Sequence, residues 1–209
     1  MPDQDGVARA RTIVPRTGQL RFLCVGALTR SAYSPSVVTI RRATVQDAPA
    51  LDRLNVRLLQ AAYGEQMPEE QLDGPRPEEQ AAAWERGLRR DRAQDPVLVA
   101  EQAGLVVGFA VVGPAQDPEG AGELYAINVD PDYWGTGAGS ALLAAQAELA
   151  RLDYAEAVLW VLPGNARARQ FYELAGWTTD GTQRTSQVLG VVVPEVRYRR
   201  RLQDLPCKT

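Results

Sequence analysis

The chain has 209 residues, 45% of them hydrophobic, and a formal net charge of −3: enough for one medium domain with an appendage, with no basic field that would suit nucleic acid. It contains no histidine, which excludes His-based triads, His general bases and His metal ligands. Cys24 and Cys207 lie near opposite ends without zinc-ligand or disulfide spacing, and no run approaches the ~18 apolar residues of a membrane span, so the expectation is a cytoplasmic protein with no metal and no membrane partner.

Residues 1–36 differ from the rest. Between Gly6 and Ser36 the chain carries five arginines and no acid, with one short apolar patch, Phe22 to Leu28. The patch lies far from Met1 and no small-x-small cleavage site follows, so a disordered leader is expected rather than a signal peptide, with Val37 or Val38 as an alternative start. From Val37 the periodicity becomes legible. "VVTIRRATV" alternates as a strand. A helix follows, with Asp47 as N-cap, a stripe of Leu51, Leu54, Leu58 and Ala61, and a stop at Gly64. An acidic, proline-bearing loop over 65–73 leads to a second helix from Pro77, acidic at its start and basic at its end.

Val97–Glu101 and Val106–Val112 then form a hairpin around Ala103-Gly104, and "GELYAINVD" is another strand. Apolar residues at 142, 145, 149 and 152 predict one helix from about Gly137 to Leu152. "AEAVLWVLP" is a strand, and "NARARQFYELAGW" is a helix closed by Gly176. Two strands, near Thr182–Val188 and Val191–Arg200, complete a domain over 37–203, with 204–209 as a tail. The order is β-α-α-β-β-β-α-β-α-β-β.

Between the strand ending at Val129 and the helix after it stands "PDYWGTGAGSALL". A helix start leaves its first amides without partners, and the dipole makes that end partly positive. Glycine lets a ligand approach such a backbone with no Cβ in the way. The stretch is therefore either an anion cradle or a plain connecting turn. It is not a P-loop, having no lysine, and it lacks the G-x-G-x-x-G of a dinucleotide turn, since the third glycine falls on Ser140 or Leu142.

"INVDPDYWGTGAGSALL" and, further on, "NARARQFYELAGW" together resemble the two signatures of the GNAT superfamily of acetyl-CoA-dependent N-acetyltransferases, V-x-P-x-[YW]-[RQ]-x-x-G-x-G and N-x-x-A-x-x-[FL]-Y-x-x-x-G-[FW]. "VTIRRATVQD" is similar to that family's opening and "EVRYRRRL" to its closing strand, so the resemblance spans about Val37 to Leu202. It implies an α/β (α+β) fold: a mixed, mostly antiparallel sheet of about seven strands with flanking helices, splayed between its two central strands. It further implies that pantetheine enters the splay and pairs with backbone of Ile127 and Val129, on the strand holding Asn128. Backbone amides from Gly135 through Thr136, Gly137, Ala138 and Gly139 to Ser140 would hold the pyrophosphate, Asn165 the pantetheine arm, and Tyr172 would sit near the thioester sulfur. One position departs: where the family has Arg or Gln, this chain has Trp134.

The implied reaction is acetyl transfer from acetyl-CoA to a primary amine, small molecule or peptide, by direct attack. An alkylammonium with a pKa of ~10.4 is only about one part in a thousand neutral at pH 7, so a proton must leave it. Tyr172 is the candidate acid for the departing thiolate; read from its pattern alone it is a core-edge aromatic. Glu123 is the candidate base or a strand-end acid. Asn165 also suits a helix N-cap. In related ribosomal-protein N-terminal acetyltransferases a Glu lies five residues before the matching Asn; here that position is Trp160, which argues against the same base and the same peptide substrate. A non-catalytic acyl-CoA-binding module of the same fold is the alternative, and a homodimer is the assembly the resemblance suggests.

Overall fold

The computed structural model describes residues 37–63, 77–90, 95–188 and 191–203. The expected leader, the stop at Gly64, the loop over 65–73 and the tail over 204–209 lie outside them. Seven strands, β1 (Thr39–Arg42), β2 (Val97–Gln102), β3 (Leu105–Pro114), β4 (Gly122–Val129), β5 (Glu156–Val161), β6 (Thr178–Val188) and β7 (Val191–Arg201), form one sheet in the order β1-β2-β3-β4-β5-β7-β6. All neighbours are antiparallel except β4 and β5, which run parallel. The helices are α1 (Ala48–Tyr63), α2 (Pro77–Arg89), α3 (Ala138–Leu142), α4 (Ala145–Arg151) and α5 (Ala166–Leu174).

The sheet separates two apolar clusters. On one face α1 and α2 contribute Leu51, Leu54, Leu58 and Trp84, which pack on Val99, Phe109 and Val111. On the other, Leu142, Ala145, Leu149, Ala168, Tyr172 and Trp177 pack on Leu124, Ile127, Val129, Leu159 and Val161. All eight residues of β4 are buried, as befits the strand between the two layers.

Three local expectations change. Asp47 is not the cap of α1: a 3-10 turn over Val45–Asp47 precedes that helix, and Thr44 stands at its start. The Thr44 backbone N–H and hydroxyl both donate to Asp47 Oδ2, at 2.7 and 3.0 Å, while Arg41 donates to both Asp47 oxygens at 2.8 Å. This fork pulls the Asp47 carboxyl down to about 2. The predicted continuous helix from Gly137 is two helices, because Ala144 N–H donates to Ala141 O and Ala147 N–H to Ala144 O, at 3.0 and 2.9 Å. These tighter i to i+3 bonds bring Leu142 and Ala145 onto one buried face. β6 begins at Thr178, before the expected Thr182; a register shift between Thr179 and Gln183, with Gly181 at φ 81, lets one strand bend through what the sequence marks as a turn.

Candidate coenzyme site

The site starts from a strand pairing that stops early. β4 and β5 are in register only at Gly122↔Ala157 and Glu123↔Val158. Beyond Glu123 they part, while β5 stays paired with β7 through Val161. Asp130 N–H donates to Val107 O on β3 at 2.8 Å, so by strand alternation the main-chain groups of Asn128 also turn to β3. Those of Ile127 and Val129 turn the opposite way, into the gap. Trp134 occupies one of them: its indole N–H donates to Val129 O at 2.7 Å.

Pro131–Tyr133 form a 3-10 turn that leaves β4, with Asp130 Oδ1 accepting from Asp132 N–H at 3.0 Å. Arg57 of α1 clamps this turn, donating to Asp130 at 2.7 Å and to Asp132 at 2.9 Å. Both carboxylates raise the Arg57 pKa, the hydrogen bond to Asp132 most. The chain then passes through Gly135 at φ 78 and Gly137 at φ 94, conformations that a residue with a Cβ adopts only at a cost. Gly137 precedes α3, and Ala141 N–H, donating to Gly137 O at 2.9 Å, is the first amide there with a helical acceptor. Ala138, Gly139 and Ser140 are thus first-turn donors.

This loop and α5 enclose a cavity of about 340 Å³, lined among others by Ile127, Val129, Gly135, Gly137, Gly139, Ser140 and Arg167. Of the expected cradle, Thr136 and Ala138 do not line it: the Thr136 hydroxyl donates to Tyr133 O at 2.8 Å, and Ala138 is packed in the core. Asn165 caps α5, its Oδ1 accepting from Ala168 N–H at 3.0 Å. Tyr172 stands behind the cavity wall, 2% exposed, edge-on to Phe171 and Trp177; it shares an apolar cluster with Ile127, Val129 and Val161. Glu123, also 2% exposed, is the last β4 residue paired with β5, at the root of the gap. Alternation sets it on the α1 face, opposite Leu124.

The model of the acetyltransferase (GNAT) family matches residues 58–177. The chain belongs to that family. Among GNAT relatives, the uncharacterized N-acetyltransferase YuaI of Bacillus subtilis (strain 168) is 33% identical over 133 residues, 62% of this chain and 74% of that protein. A mycothiol acetyltransferase of Thermobispora bispora is 36% identical over 112 residues, 47% of this chain. The chain spans only about 38% of that relative's length. In fold, the PaiA N-acetyltransferase of Thermoplasma acidophilum, solved in complex with coenzyme A, superposes with a TM-score of 0.63 at 17% identity, covering 79% of this chain and 99% of that one. Among the described residues no helix is long and apolar enough to cross a membrane.

Four features of this GNAT site were not singled out from sequence: the Arg57 clamp, Phe171, Leu174 and Arg167. Phe171 and Leu174 line the cavity with Arg167. The three recur at i, i+4 and i+7 on α5, a stripe beside the Ala168–Tyr172 stripe that faces the core, so helical spacing was the available signal. Three further tryptophans sit in different surroundings. Trp84 meets Phe109 edge-on at 5.4 Å and Trp177 is buried. Trp160 lies on the opposite face from Leu159 and Val161, with the Arg184 guanidinium 3.8 Å from its ring centre.

Proposed function

We propose that the chain moves an acetyl group from acetyl-CoA to a primary amine. The observation that carries this is that β4 and β5 pair at only two positions and then part at the centre of the sheet, beside a glycine loop. The donors fit the ligand: the first-turn amides of Gly139 and Ser140, which line the cavity, for a diphosphate, and main chain of Ile127 and Val129 for an amide-bearing arm. Because the Trp134 indole holds the Val129 carbonyl, Val129 offers that arm its N–H.

Acetyl-CoA supplies an activated thioester. The chain's own part is to hold the diphosphate and to move two protons. Glu123, at the root of the gap on the α1 face, takes the proton from the amine, directly or through water. The Tyr172 hydroxyl, from the α5 side, gives one to the departing thiolate. Asn165 holds the start of α5 while facing the arm. The names of the curated relatives put an amine of mycothiol type first among acceptors to try. Trp160, in place of an acid, argues against peptide N-termini.

Thiol release from acetyl-CoA with a panel of amines tests the reading. Release with an acceptor, lost at low pH in the native chain and reduced by Glu123→Gln, is expected. One observation favours the non-catalytic module: the deep burial of Tyr172 behind the cavity wall. Tight CoA binding with no release for any amine would select it.

A further inference from the structure

Arg167 lies in the first turn of α5 and lines the cavity. It is the one lining residue with a formal charge among those described, and no acid shares the wall. Its Nη1 is buried with no hydrogen-bond partner. The nearest acids of the loop are committed elsewhere, Asp130 and Asp132 to Arg57. The neighbouring Arg169 turns away, donating to Tyr198 Oη at 3.0 Å and to Pro163 O at 3.2 Å. What holds the Arg167 guanidinium is the Trp134 ring, 4.5 Å from its carbon, and that ring is fixed by its bond to Val129 O. A guanidinium nitrogen withdrawn from water without an acceptor is unfavourable, although the Arg167 side chain as a whole is only partly buried. Burial accordingly lowers the Arg167 pKa.

We propose that Arg167, braced on Trp134, is the cationic partner of the diphosphate of acetyl-CoA. This rests on the acetyl-CoA reading above. Position 134, where the matched signature has a polar side chain, has become a platform: its ring carries the charge in from α5 instead of supplying it from the loop. The planar fork of Arg167 suits two phosphate oxygens at once, while Gly139 and Ser140 line the same cavity from the loop side. Trp134 is a positioning residue here, acting through Arg167.

The test is calorimetric titration of the full chain with CoA and with 3′-dephospho-CoA, which keeps the diphosphate and lacks the ribose phosphate. Arg167→Gln is expected to weaken both ligands by the same factor, about 10- to 50-fold, and to flatten the salt dependence of binding. Arg167→Lys, which keeps the charge without the fork, recovers part of the loss and serves if the Gln variant does not fold. Trp134→Phe, which keeps a ring face and loses the indole N–H, costs about threefold. A loss confined to CoA would move Arg167 to the ribose phosphate and overturn the assignment; unchanged affinity for both ligands would also overturn it. Absence of heat from the native chain with either ligand would instead remove the coenzyme reading itself.

Discussion

Strand β5 has two edges and treats them differently. Toward β7 it is in register at six positions, from Glu156↔Arg201 to Val161↔Val196; toward β4 it is in register at two. A sheet interior normally satisfies every main-chain donor and acceptor. Between β4 and β5 that pairing ends after Glu123, and the proposed coenzyme site lies where the two strands part. Substitutions on the closed side are expected to read out as stability, and those on the open side as binding and turnover.

The largest effect is expected on the paired edge of β4. A Cβ at Gly108 would lie 2.7 Å from Asn128 O, a backbone atom that cannot step aside. Gly108→Val should cost about 3 kcal/mol of unfolding free energy, read by urea denaturation. On the open side, Tyr172→Phe should lower kcat about 10- to 100-fold while leaving the KM for acetyl-CoA unchanged; an unchanged kcat would return Tyr172 to packing alone. Gly137→Ala meets no atom within 4 Å but forces a Cβ onto φ 94. It should weaken CoA binding about tenfold while moving stability by only about 1 kcal/mol, read by calorimetry and urea denaturation together.

The smallest effect lies away from both edges, at Asp47. Its folded pKa of about 2 is below the ordinary 3.8, so its contribution is complete above about pH 4 and is lost as pH falls through about 2. Because the partner Arg41 side chain is 37% exposed, about 1 kcal/mol is expected. Asp47→Asn should abolish that part of the acid dependence of Tm and leave CoA binding unchanged.

Much of the order of elements was legible because a helix that buries one face writes a period of 3.6 into the chain, as α5 does. The central strands β2 to β5 are buried on both faces and were legible instead as short apolar runs bounded by turns. Boundaries failed where the backbone, not the side chains, made the choice. The 3-10 tightening between α3 and α4 preserves the apolar stripe, so the sequence shows no break. The bend in β6 sits at a glycine that serves equally well in a turn. At the site, the glycine loop and the Asn165 helix start were legible because the conformations they require restrict residue type. Arg57, Phe171 and Arg167 were not, because their roles depend on which element lies opposite.

The sequence by itself determined the elements, the positions of the flexible glycines and, through two spaced signatures, the family. Tertiary structure alone decided how far β4 and β5 stay together and which donors face the space they leave. Those depend on contacts among segments distant along the chain: Arg57 reaching Asp130 across 73 positions, Trp134 turned back on Val129, and Arg167 brought from a later helix onto Trp134. Local pattern encodes what a residue does to its own backbone, and only packing encodes what it meets.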